Sequence, residues 1–170
     1  MVSLAQNNEQ NHVILVNSNK SFEEQNFHGA HELIHIPTAD QAGTILSCYD
    51  TVKPNQDSYT EWLANEGAAE LLVPYMILLP MVKDEYDTMC VNLGTWDFCE
   101  KHSQDFGVTP IVLQNRIDSL KYEIYQYINE VPLACLEILS KTKLKQRDLN
   151  IKSLVQLEDE RISTMLKTAI

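Results

Sequence analysis

The chain has no apolar run approaching the roughly 20 residues that cross a bilayer, although 44% of its 170 residues are hydrophobic. A membrane span is excluded on that ground, and hydrophobic and charged fractions near globular averages exclude intrinsic disorder. The first ten residues, Met1 to Gln10, lack the charged-then-apolar order of a signal peptide, so a cytoplasmic protein is expected. Four cysteines, Cys48, Cys90, Cys99 and Cys135, stand far apart without any Cys-x-x-Cys pair, which predicts reduced thiols. Glycine is scarce, at five residues, and no Gly-rich phosphate loop, internal repeat or low-complexity segment is present.

Positive charge is also in short supply. Thirteen Lys and Arg face 24 Asp and Glu, for a net charge of −11. The deficit is uneven: residues 1–140 hold 6 Lys and Arg against 20 Asp and Glu, whereas residues 141–170 hold 7 against 4. Phosphate binding needs clustered positive charge, so the body is a poor nucleic-acid surface. The ladder Lys141, Lys143, Lys145, Arg147 reads as a solvated helix face able to touch an acidic partner.

His12 to Asn17 is a short β-branched run closed by a turn, which predicts a strand, and residues 42–52 alternate weakly enough to predict a second. Ser21 and Glu24 have capping-box spacing, so a helix is expected over residues 22–36, ending before Pro37. Ser58 and Glu61 repeat that spacing ahead of a helix stopped by Pro74. A helix over 95–106 should close at Gly107 in a left-handed conformation. Thr109 and Pro110 should open another, whose stripe Leu113, Ile117, Leu120, Ile124, Ile128 carries it to near Pro132. Two further helices are expected over 133–147 and 151–167.

Within the first helix lies His31-Glu32-Leu33-Ile34-His35, the H-E-x-x-H pattern. Four residues on a 3.6-residue helix place both imidazoles on one face, where two nitrogens can meet one Zn²⁺. Zinc takes four ligands, and a hydrolytic site draws three from protein and leaves one for water. Glu32 projects about 100° from His31 around the helix, off the ligand face yet close enough to act as a base. The third ligand should come from a neighbouring helix. Glu61 is the candidate, with Asn65 one turn on, where an amide can orient a histidine. Glu61 is equally readable as a first-turn carboxylate serving only its own helix.

The stretch Asn26-Phe27-His28-Gly29-Ala30-His31-Glu32-Leu33-Ile34-His35, followed by Glu61-x-x-Ala64-Asn65-x-x-Ala68-Ala69-x-Leu71-Leu72-x-Pro74, resembles the ImmA/IrrE-type metallo-endopeptidases. Their pattern runs roughly F-x-x-A-H-E-L-G-H, then E-x-E-A-N-x-F-A-A-x-L-L-M-P. Phe106-Gly107-Val108-Thr109 through Leu113, Arg116 and Ile117 is similar to the family's F-x-V-S-x-x-A-L-x-x-R-L segment, so the likeness covers about residues 12–120. Ile34 stands where the family usually has glycine, Leu63 where a second glutamate is common, and Gly67 where an aromatic is common.

The resemblance implies a cytoplasmic zinc metalloprotease of phage or mobile-element type, a hydrolase acting in regulatory proteolysis on a helix-turn-helix repressor. By position it implies His31, His35 and Glu61 as zinc ligands, Glu32 as the catalytic base and Asn65 as the residue holding a ligand. The fold expected is α+β: a mostly helical zincin-like domain with a small antiparallel sheet and a C-terminal helical extension. The corresponding boundaries are a metallopeptidase core over 1–93, a helix-turn-helix-like segment over 94–132 packed on it, and the extension over 133–170. Few residues precede the first strand, which is compatible with an oligomer.

Other assignments stay open. Tyr59, Tyr75, Tyr86 and His102 could each stabilise an oxyanion. His28 has poorer spacing for a ligand than His31 and His35. His12 has no visible partner, and Cys48 reads as an ordinary buried thiol. Residues 95–106 and 109 onward imitate a DNA-binding helix-turn-helix, against which the acidic body argues. A module that binds a repressor or antitoxin without cutting it is the other alternative.

Overall fold

The computed structural model describes residues 2–7, 10–36, 58–89 and 94–168. Its organisation is best followed from Ser21. The Ser21 hydroxyl accepts from the Glu24 backbone N–H at 3.2 Å, and Glu24 Oε2 accepts from the Ser21 N–H at 3.1 Å. This reciprocal box starts α1, Phe22–His35, with two acidic residues in the first turn where the helix dipole favours them. Ahead of it, β1 (Val2–Asn7) and β2 (Gln10–Leu15) pair antiparallel, from Val2 opposite Leu15 to Asn7 opposite Gln10. β1 lies where no strand is expected from the sequence, and the strand expected over 42–52 lies outside the described residues.

Helix α2, Ser58–Leu72, packs on α1. Ser58 is its first residue, and the residue before it lies outside the described residues. The seam is built from small residues: Ala30, Ala64 and Ala68 are buried. Short side chains let the two backbones approach closely, which places groups on facing sides within ligand distance of each other.

The described residues fall into two compact units, Met1–Leu72 with Gln104–Thr109, and Val73–Ser103 with Pro110–Ile170. In the first, Asn26 Nδ2 donates to the Gly107 carbonyl at 3.0 Å, tying α1 to the remote 104–109 turn. Gly107 has φ +61°, and a β-carbon there would lie 2.9 Å from the same Asn26 nitrogen. The left-handed backbone conformation calls for glycine, while a β-carbon would displace only the tip of the Asn26 side chain.

The second unit is helical, and mostly helical describes the chain as a whole. Helix α3, Tyr75–Thr88, is not anticipated from the sequence. It contains Pro80, which has no N–H to donate to the preceding turn, yet buries Leu78, Leu79 and Val82. Tertiary burial outweighs the missing bond. Helix α4 is Gly94–His102, and the expected helical stretch finishes as a 3₁₀ turn over Ser103–Phe106.

The apolar stripe from Leu113 to Ile124 is buried as its spacing predicts, each such side chain contributing roughly 1.5–3 kcal/mol. The helix carrying it is not continuous: α5 is Pro110–Ser119 and α6 is Lys121–Ile128. Ser119 Oγ donates to the Arg116 carbonyl at 2.9 Å, which also accepts from the Leu120 N–H at 3.0 Å, and Leu120 leaves the helical range with φ −91° and ψ 17°.

The helix expected over 133–147 is also corrected. A 3₁₀ turn covers Leu133–Cys135 and α7 is only Lys141–Gln146. Between them, Gln126 exchanges two side-chain bonds with the Glu137 backbone, at 3.0 and 2.9 Å, and Glu123 Oε1 accepts from the Leu139 N–H. With its polar groups met by another element, the extended backbone gains nothing by coiling. Helix α8, Leu154–Thr168, then closes the unit, Glu158 Oε2 accepting from the Thr95 N–H at the start of α4. No helix among the described residues is long and apolar enough to cross a membrane.

Candidate metal centre

The capping box starts α1 and the Ile36 N–H closes it on the Leu33 carbonyl, and on this helix His31 and His35 stand on one face, one turn apart, both buried. Their Nε2 atoms are 3.0 Å apart, with the rings edge to face at a centroid separation of 4.7 Å. From α2, Glu61 Oε2 approaches His31 Nε2 to 3.4 Å and Oε1 approaches His35 Nε2 to 3.3 Å. The Glu61 side chain keeps about a quarter of its exposure, while those of the histidines keep under a tenth. Of the three side chains, the carboxylate is thus the most exposed.

On its far side, His31 Nδ1 lies 3.0 Å from Asn65 Oδ1. The amide oxygen only accepts, so the proton of His31 sits on Nδ1 and the Nε2 lone pair faces His35 and Glu61. Two imidazole nitrogens and a carboxylate therefore converge. A single proton on His35 Nε2 can serve one acceptor at a time, whereas a divalent cation would satisfy all three donors together.

Geometry fits such an ion. Tetrahedral zinc with bonds of about 2.0–2.1 Å holds neighbouring donors about 3.3 Å apart. Here the two Nε2 atoms are 3.0 Å apart and the carboxylate meets them through different oxygens, Oε2 at 3.4 Å from His31 and Oε1 at 3.3 Å from His35, so that one donor atom from each residue lies within 4.8 Å of the others. Among the described residues, His31, His35 and Glu61 form the one group of His, Cys, Asp or Glu with this convergence, and His28 is not part of it.

Glu32 is buried beside the two histidines on α1, at 8% exposure. The open candidates for an oxyanion donor are dispersed. Tyr59 is 64% exposed and stacks on Trp62, their ring centroids 5.8 Å apart. Tyr75 begins α3. Tyr86 lines a cavity of about 420 Å³ with residues of α6 and α8. His102 Nε2 is 2.7 Å from Glu85 Oε1, and its ring packs on Phe98. Cys48 lies outside the described residues. The contact that spacing could not disclose is between Ile34 and Gly67, opposed across the α1–α2 seam.

A helix carrying two histidines and a glutamate, met by a carboxylate from a second helix, is the arrangement associated with metal-dependent peptidases. Residues 1–118 match the IrrE N-terminal-like domain, a peptidase family, and the chain belongs to that family. Membership implies a metal and a protein substrate. No curated protein and no solved structure matches the chain.

Proposed function

We propose that the protein is a zinc-dependent endopeptidase that hydrolyses peptide bonds of a helix-turn-helix repressor or similar regulatory protein in the cytoplasm. The observation that carries this reading is the convergence of His31 Nε2, His35 Nε2 and the Glu61 carboxylate, one donor atom from each within 4.8 Å of the others, on a set of residue types that suits one tetrahedral zinc.

His31, His35 and Glu61 would hold the ion, and Asn65 would keep the His31 lone pair aimed at it by accepting from Nδ1. Zinc bound there would supply Lewis acidity toward a carbonyl oxygen and a water molecule. Glu32 takes the proton from the attacking water and delivers it to the leaving amine. Burial of the α1 face excludes bulk water behind the reacting groups, and the Glu61 side gives the substrate its approach.

Zinc content and cleavage test the reading together. Purified protein should carry about one zinc per chain, and Glu61→Ala should lose it. Glu32→Gln should keep the metal yet release repressor fragments at least about 100-fold more slowly, measured by mass spectrometry. Full zinc retention by Glu61→Ala moves the third ligand elsewhere. Equal repressor release by native protein and Glu32→Gln, with no fragments from either, makes the protein a zinc-binding module that does not cut.

A further inference from the structure

Ile34 of α1 and Gly67 of α2 meet one residue before His35 and two residues after Asn65. A β-carbon placed on Gly67 would lie 3.0 Å from both Cγ1 and Cγ2 of Ile34, and 3.2 Å from Cδ1. Carbon atoms in ordinary contact stand about 3.5–4.0 Å apart. Even alanine at position 67 is therefore short of space by a few tenths of an ångström. A long flexible side chain would swing clear of such an intruder. Ile34 has two γ carbons on one β-carbon and a strongly preferred helical rotamer, so turning it exchanges one crowded branch for the other. The remaining response is for α2 to move away from α1.

We infer that Ile34 and Gly67 form a steric lock that sets the separation of α1 and α2, which makes Gly67 a positioning residue for the metal centre. The inference rests on the metal-binding reading proposed above. Its force comes from a comparison of magnitudes. Ligand distances at a metal site fall within about 0.2 Å of their preferred values, and the shift of a few tenths of an ångström that a side chain at position 67 requires reaches that tolerance. His31 and His35 share α1 and move together, so the 3.0 Å between their Nε2 atoms survives a change in helix separation. Glu61 rides on α2, about 9 Å along the axis from Gly67. The change falls on the two His–Glu distances and on the His31–Asn65 bond.

The test compares the full-length native protein, Gly67→Ala, and the double variant Gly67→Ala/Ile34→Ala. Zinc affinity is measured by competition with a chromophoric chelator, and folding by circular dichroism. Gly67→Ala should bind zinc at least about ten-fold more weakly. The double variant should return to within about three-fold of native affinity, because trimming Ile34 vacates the space that the new methyl needs. The visible spectrum of the cobalt-loaded protein should follow the same order, losing tetrahedral intensity in the single variant and regaining it in the double. A role confined to stability would lower the melting temperature and leave the affinity of folded protein unmoved.

Native affinity in folded Gly67→Ala overturns the lock, and so does a weakened affinity that the Ile34 change does not restore. If Gly67→Ala does not fold, the double variant decides. Folded with native affinity, it supports the lock; unfolded, or weak for zinc, it overturns it. Native protein that takes up no zinc ends the metal reading itself, and the lock's role with it, an outcome distinct from any effect confined to position 67.

Discussion

The Nδ1 of His31 and the Oδ1 of Asn65 are 3.0 Å apart, and this one contact determines which ring nitrogen is presented to Glu61. Asn65 is itself exposed, so its value lies in orienting a buried ring more than in filling the core. A group of this kind contributes through the affinity of the site it supports.

Asn65→Ala should accordingly weaken zinc binding by about 10–100-fold. In the metal-free protein it should also lower the unfolding free energy by about 1–3 kcal/mol, because the buried His31 Nδ1–H loses its acceptor. Chelator competition and urea titration of the same preparation measure the two quantities. An unchanged zinc affinity would show that the ring is held by something else.

The start of α1 offers an independent handle on the same helix. Ser21→Ala removes the acceptor for the Glu24 N–H and should destabilise the fold by about 1 kcal/mol. Because Glu24 still accepts from the residue-21 N–H, Ser21→Asp should recover most of the loss. Denaturant midpoints of the three proteins check this directly.

Acid sensitivity has a definite source in the second unit. The Lys101 ammonium and the His102 ring both lie 2.7 Å from Glu85 Oε1. The Lys101 bond chiefly, with His102 helping against the opposing effect of burial, holds the Glu85 carboxyl below its ordinary value of 4.5. A carboxyl with a depressed folded-state pKa binds fewer protons folded than unfolded, so its contribution is complete above 4.5 and fades as pH falls through the lower folded value. Stability of the native protein should therefore decline below pH 4.5. Glu85→Gln should be less stable at neutral pH and show a shallower decline, as read from melting temperatures across pH 3–7.

Two described thiols should differ sharply in reactivity. Cys99 is fully buried on α4, and desolvation, aided by the nearby Glu158 charge, pushes its pKa up to about 12. At pH 8 only about one molecule in 10,000 carries the thiolate that reacts with iodoacetamide. Cys135 is exposed and should be alkylated promptly. Mass mapping of alkylated protein should find Cys99 modified only after unfolding, and early labelling there would contradict its placement.

What could be read in advance follows the distance over which each feature is determined. The ends of α1 depend on Ser21, Glu24 and Pro37, all local, and the His31–His35 spacing is local too. Glu61 is different, since its own spacing serves a helix start as well as a ligand; the resemblance to a family weighed for the ligand, and the Ala-lined seam brings it within 3.4 Å of both rings. Helix α3 was hidden by Pro80, whose local cost is overcome only by burial of neighbours such as Leu79. The extended stretch after Cys135 was hidden for the converse reason. Gln126 and Glu123, on another element, supply the backbone partners that a helix would have supplied itself. Ile34 and Gly67 each look like an isolated departure in the sequence, and only their opposition in space makes them one feature.

The turn at residues 104–109 groups with α1 and α2 although 31 residues of the other unit separate it from Leu72. No single scission can then release whole the half that carries the candidate metal centre: a fragment ending at Leu72 forfeits the carbonyl that Asn26 grips. During synthesis, that half must wait unfinished while the ribosome adds α3 and α4, and its last piece arrives only afterwards.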